Sequence, residues 1–286
     1  MRVGRIPYIN CYPVYGGVDR GLVPLDATLV DGVPTALNKM MAEGTLDVSV
    51  VSAVEYARDW ERYLLLPELA ISCDGPVRSV MLFSTKPAEE LAGERVLVSR
   101  SSMTSVHLLE LLFEHVWKAQ PEFVPGNAEA AAIASRAGSD VAARLVIGDA
   151  ALMLQSADHP VAQGHGQSYP FVYDLGAEWK CWTGLPFVFA VWVAQRSTPV
   201  TESLKVHAAL IQSRDWGLEH LDELSAQASR STGVSLKECR EYFNGLNWRL
   251  TMPDLEGLSE FLRRLELAGR VPKGKLAFLP AANSGR

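Results

Sequence analysis

No apolar run in this sequence approaches the ~18–20 residues needed to cross a bilayer, so a membrane-spanning helix is not expected. Basic residues are not in excess. The 286 residues carry 27 Lys and Arg against 33 Asp and Glu, a formal charge of −6. That balance argues against nucleic acid as a partner, because phosphate binding needs a basic face. It leaves room for a local pocket that takes a small anion. Cysteine is scarce: Cys11, Cys73, Cys181 and Cys239 lie far apart and form no CxxC pair, which argues against a disulfide framework or a zinc knuckle. The first fifteen residues have no basic start followed by an unbroken apolar stretch, so no secretion signal is read there. Free thiols in a reducing cytoplasm are the expectation.

Catalytic signatures are missing too. There is no GxSxG, no HExxH, no Walker loop and no GxGxxG after a strand. The six histidines include no close pair on a ligand helix, so neither a metal nor a cofactor is expected. What is present is a globular composition, 48% hydrophobic and 21% charged, at a length that suits one large domain or two medium ones.

The pattern is α/β. Residues 2–9 read as a strand, 26–30 as a second, the stretch from Pro34 as a helix stopped by Gly44, and 46–51 as a third strand. Strand, helix, strand in this order gives a parallel pairing. Further strands are expected at 80–83, 95–99 and 144–147, and helices after Ser105, over 128–137 and from Ala150. Pro186–Ala194 is apolar on both faces, as a central strand would be. From 201 on the pattern is helical, over 202–229, 235–244 and 254–267. Two extended segments, Val80–Ser84 and Pro186–Ala194, read as crossings between two lobes. The expected division is 1–84 with 191–286 as a discontinuous first lobe and 85–190 as the second. The helical tail would pack on the first lobe, and a ligand would lie in the cleft.

Four segments stand out as ligand candidates. Asn10 lies near the C-terminal end of the first strand, where α/β sheets collect ligands; it also reads as a turn residue before a helix. Ser79 opens the Val80 strand after a Cys73-Asp74-Gly75-Pro76 turn, beside Arg78. Ser101, Ser102, Thr104 and Ser105 crowd a helix start, where free N–H groups and the helix dipole favour a carboxylate or phosphate; plain capping needs only one of these hydroxyls. Gly148 permits close backbone approach, and Asp149 either caps the next helix or orients a donor. Trp179, Trp182 and Trp192 form an aromatic cluster that lines a ring pocket or packs the core.

Taken together, RVGRIPYINCYPVY (2–15), GTLDVSVVSAVEYA (44–57), ISCDGPVRSV (71–80), SRSSMTSVHLLELL (99–112), VIGDAAL (146–152) and DLGAEWKCWTGLPFVFAVWVA (174–194) resemble the chorismate dehydratases of the futalosine-dependent menaquinone pathway. The resemblance runs from residue 2 to about residue 267. It implies a type II periplasmic-binding-protein fold used by a cytoplasmic enzyme. The implied activity is a lyase that takes water from chorismate to give 3-[(1-carboxyvinyl)oxy]benzoate, with no cofactor. It implies catalytic or orienting roles for Asn10 and Ser79. A carboxylate would be held at Thr104 and Ser105 in the segment that begins at Ser101, with Gly148 and Asp149 beside the substrate. The proton acceptor would be the substrate's own side-chain carboxylate. Two alternatives share the fold. A solute-binding protein would normally carry a secretion signal or lipid anchor. The sister 1,4-dihydroxy-6-naphthoate synthase is disfavoured by the IPYIN and WTGLPFVFA segments. The oligomeric state is left open.

Overall fold

Val3, Val48 and Ala194 stand opposite one another on three adjacent strands, and all three are fully buried. They mark the centre of the first of two five-stranded sheets in the computed structural model, which describes residues 1–129, 141–163 and 169–280. The strands are β1 (Arg2–Arg5), β2 (Thr28–Asp31), β3 (Val48–Ser52), β4 (Tyr63–Cys73), β5 (Val80–Ser84), β6 (Arg95–Ser99), β7 (Glu122–Gly126), β8 (Ala143–Ile147), β9 (Phe171–Asp174) and β10 (Phe187–Gln195). The α-helices with assigned bounds are α1 (Tyr12–Asp19), α2 (Pro34–Ala42), α3 (Ala53–Arg58), α4 (Thr104–Leu112), α5 (Asp149–Gln155), α6 (Pro160–Gln163), α7 (Leu175–Thr183), α8 (Val200–Glu219), α9 (Leu221–Thr232), α10 (Leu236–Gly245) and α11 (Met252–Leu267). The helix expected over 128–137 lies, from residue 130 on, outside the described residues.

The chain forms two compact units. One comprises Met1–Ser72, Val188–Leu224 and Asn247–Arg286; the other comprises Cys73–Phe187 and Ser225–Leu246. In the first unit the strand order is β2-β1-β3-β10-β4. β1 runs parallel to β2 and β3, and β10 runs antiparallel to β3. In the second unit the order is β7-β6-β8-β5-β9. β6 runs parallel to β7 and β8, and β5 runs antiparallel to β8 and β9. Each sheet thus has the same plan: a parallel trio linked by crossovers, then an antiparallel strand and an edge strand. All nine residues of β10 are buried, as expected for a strand covered on both faces.

The division differs from the expected one in two places. Val80–Ser84 is not a crossing. All five residues of this strand are buried, and it sits inside the second sheet between β8 and β9. The chain changes unit at the end of β4 instead. That strand is hidden in the sequence by Pro67 and by Glu68, whose backbone is left-handed (φ 57°). The helical tail is also divided, since Ser225–Leu246 belongs to the second unit. Its polar bonds show why: Ser156 Oγ donates to Glu238 at 2.9 Å, Arg78 pairs with Glu241 at 2.9 Å, and the buried His159 ring meets the Thr232 carbonyl at 3.0 Å.

Candidate functional site

β6 and β8 are parallel, so Ser99 and Ile147 end at the same edge of the second sheet. β5 is antiparallel to β8, with Val80 opposite Ile147, so it begins at that edge. Ser79 therefore lies beside Gly148, whose N–H donates to the Ser79 carbonyl at 2.8 Å. The turn from Ser101 to Ser105 leaves β6 at the same edge. Six of the seven residues singled out from the sequence, Ser79, Ser101, Thr104, Ser105, Gly148 and Asp149, are brought together by this topology alone.

Ser79 is 4% exposed, and its hydroxyl makes no hydrogen bond among the described residues. Its backbone is held tightly. Ser79 N–H donates to the Val77 carbonyl at 2.7 Å, and Arg78 before it has φ 60°. The clamp is Asp174, which the sequence analysis passed over. One carboxylate oxygen accepts from the N–H groups of Val77 (3.0 Å), Gly176 (2.9 Å) and Ala177 (3.1 Å), and the other from Arg78 (2.6 Å). One side chain thus caps α7 and fixes the turn that carries Ser79. Its signal in the sequence was an Asp just before a helix; nothing local announced the second role. Asp174→Ala strips four amides of a charged acceptor. It is expected to lower the unfolding free energy by about 2–4 kcal/mol, given ~1 for a cap and more for charge-assisted bonds. Urea denaturation checks this, and an unchanged midpoint would remove the clamp.

At α4 the hydroxyls divide their work. Ser102 Oγ accepts the Ser105 N–H at 3.2 Å, and Ser99 Oγ accepts the Ser101 N–H at 3.0 Å. Ser102 therefore does the capping. Thr104 and Ser105 are buried, and the Ser105 hydroxyl has no partner among the described residues. Gly148 has φ 65° and ψ −148°, a conformation open only to glycine. It is also the residue that precedes α5. Asp149 is not the cap but lies in the first helical turn, where a negative charge suits the dipole.

Asn10, the seventh residue, belongs to the first unit. The first strand ends at Arg5, sooner than expected. A 3-10 turn, Ile9–Cys11, carries Asn10 into α1, whose first turn holds Pro13. Trp248 Nε1 donates to the Asn10 carbonyl at 2.7 Å. The Asn10 Oδ1 is buried and accepts no hydrogen bond among the described residues. Behind it, the Tyr15 hydroxyl donates to the Gly4 carbonyl at 3.0 Å and accepts from Trp192 Nε1 at 3.1 Å. Burial pushes the Tyr15 phenol far up, so it stays a neutral donor.

Two of the three tryptophans are structural. Trp192 and Trp179 are fully buried, and Trp179 Nε1 donates to the Pro186 carbonyl at 3.1 Å. Trp182 is half-buried and stacks on His115 at 5.4 Å. A surface pocket of the first unit, walled by Tyr56, Trp60, Arg263 and Lys275, contains none of the seven residues.

Comparison with known proteins places this geometry. A family described as menaquinone biosynthesis matches residues 1–267. A chorismate dehydratase of Thermus thermophilus is 31% identical over 274 residues, covering 91% of this chain and 96% of that one. A protein of Archaeoglobus fulgidus with a known crystal structure superposes with a TM-score of 0.74 at 18% identity, covering 94% of this chain and 98% of that one. The periplasmic aliphatic sulphonate binding protein of Escherichia coli superposes at 0.65 with 13% identity, covering 100% and 94%. At those identities the structures speak for the fold alone, which is that of the periplasmic binding proteins.

Proposed function

We propose, for a chain that belongs to the menaquinone biosynthesis family, that it is an enzyme which removes water from chorismate to give 3-[(1-carboxyvinyl)oxy]benzoate. The observation that carries this is the 31% identity, over nearly the whole of both chains, to a chorismate dehydratase. The polar groups at hand suit the chemistry. A proton leaves the ring carbon that bears the enolpyruvyl ether. The charge left behind spreads through the ring double bond to the ring carboxylate, and loss of the neighbouring hydroxyl makes the ring aromatic. The aromatic product supplies most of the driving force. The protein has to hold two carboxylates, orient the departing hydroxyl and keep water out.

Asn10 and Ser79 act at the reacting atoms. The Asn10 Oδ1, buried and without a hydrogen bond among the described residues, accepts from the substrate hydroxyl and orients it for departure. The unpaired Ser79 hydroxyl hydrogen-bonds a reacting oxygen. Neither is a base near neutral pH, so the enolpyruvyl carboxylate of the substrate takes the ring proton and passes it to the departing hydroxyl, which leaves as water. The Ser101–Ser105 turn receives a carboxylate through the Thr104 and Ser105 hydroxyls and the helix N-terminus. Gly148 lets the ring approach the backbone, and Asp149 orients a neighbouring donor. The reaction is one of the cytoplasm. Four free cysteines, one of them the exposed Cys181, suit a reducing compartment. Among the described residues no helix is long and apolar enough to cross a membrane.

The test is incubation of the purified protein with chorismate and mass analysis of the product. Loss of one water, with the ultraviolet absorption of a substituted benzoate, is expected. Unchanged chorismate at stoichiometric enzyme would overturn the proposal.

A further inference from the structure

Both carboxyl oxygens of Glu129 are buried, and neither makes a hydrogen bond of good geometry among the described residues. A carboxyl in that state needs an account, since buried polar groups are nearly always paired. Its place in the fold is informative. β7 lies beside β6 with Gly126 opposite Ser99, and the Arg100 N–H donates to the Gly126 carbonyl at 3.0 Å. Three residues on, the Glu129 carboxyl lies beside the Ser99 hydroxyl and the backbone amides of Ile147 and of Glu129 itself. Ser99 is the residue whose hydroxyl accepts the Ser101 N–H. Ile147 is the residue before Gly148. Glu129 therefore sits under the edge where Ser79, Ser101–Ser105 and Gly148–Asp149 meet.

We infer that Glu129 is a positioning residue which keeps its proton, and thereby keeps the Ser101–Ser105 turn receptive to a carboxylate. An ionised Glu129 would do two kinds of harm. Its charge would repel an anion at the α4 N-terminus through a poorly polarisable interior. It would also compete for Ser99, the hydroxyl on which Ser101 is hung. Burial is the main influence on the group and pushes its carboxyl up, against the Ser99 hydroxyl and the amides of Glu129 and Ile147, which draw it down. Titratable or charged side chains on the described segments that meet at this edge are Arg78, Arg100, His107, Glu110, Asp149 and Asp174. None of them is among those causes.

The inference rests on the proposed substrate, and its test separates the two. The probe is 3-[(1-carboxyvinyl)oxy]benzoate, whose carboxylates are ionised throughout the range used. Its affinity for the wild type and for Glu129→Gln is measured by calorimetry from pH 6 to pH 9. Glu129→Gln is the neutral isostere of the protonated form. Wherever Glu129 holds its proton the two proteins should bind alike. As pH rises and Glu129 ionises, the wild type should lose about ten- to a hundredfold in affinity, the scale of one like charge nearby. Glu129→Gln should not. A wild-type profile that is flat, or a loss shared by Glu129→Gln, overturns the role of Glu129 and leaves the substrate standing. A wild type that binds the probe at no pH overturns the substrate, and the inference with it.

Discussion

Asn10→Ala and Ser79→Ala are each expected to lower kcat for chorismate dehydration by about a hundred- to a thousandfold, the cost of one preorganised polar group aimed at developing charge. Substrate affinity should fall much less, because these groups act on the reacting oxygens and not on the carboxylates that anchor the substrate. Folding should be nearly untouched, for reasons specific to each site. The Asn10 contact that holds the 3-10 turn is its backbone carbonyl, which accepts from Trp248 Nε1 and survives the substitution. The Ser79 contacts that hold its turn are backbone ones as well, to Val77 and Gly148. Thermal unfolding of both variants should therefore match the wild type while turnover collapses. Wild-type-like turnover in both would falsify the assignment. A chorismate analogue lacking the side-chain carboxylate adds an independent arm. If it is dehydrated at the normal rate, a protein group takes the proton.

Gly217→Ala should be the most damaging small substitution in the first unit. A Cβ at this position would stand 2.2 Å from the Pro13 carbonyl oxygen and 2.6 Å from its Cα. These are backbone atoms and cannot rotate aside. α1 and α8 meet at this point, and Ser213 Oγ accepts from the N–H groups of Gly17 and Val18 at 3.0 and 3.1 Å. Forcing the helices apart should lower stability by about 3 kcal/mol, the upper part of the overpacking range. Because Pro13 follows Asn10 by three residues, turnover should fall together with stability. Calorimetric unfolding and steady-state kinetics on the same preparation test this. A variant as stable as the wild type would show that α1 is free to shift.

Much of this architecture was legible in the residues. That β2 and β3 run the same way followed from one strand–helix–strand pattern, which did not show that β1 lies between them, and β10 announced itself as central by being apolar throughout. The edge of the second sheet was legible as chemistry, since serine, threonine and glycine collect after β6, after β8 and before β5. The rest was hidden for identifiable reasons. β4 is interrupted by Pro67 and by a left-handed Glu68, so its period breaks in the middle. α1 carries two adjacent glycines, Gly16 and Gly17, which are poor helix formers and whose reason, the close partner helix α8, lies far away in sequence. Asp174 and Glu129 act through backbone amides and a hydroxyl far away in sequence, and no local pattern encodes such partners.

The place of β10 has a consequence for synthesis. β3 and β4 do not pair with each other; β10 lies between them. All 115 residues of Cys73–Phe187 must leave the ribosome before the missing strand appears. At about 5–20 residues per second that delay lasts roughly 6–23 seconds. During it, the Val48–Ser52 and Tyr63–Cys73 segments each keep an open, apolar flank that invites mispairing. The second sheet meets a shorter wait, because its five strands fall within Val80–Asp174 and β5 needs only β8 and β9 to appear. The nascent protein is thus expected to mature from its middle outward, and to depend on chaperone shielding of its amino-terminal quarter. Arrested chains ending before and after Gln195 should differ sharply in protease resistance of residues 48–73.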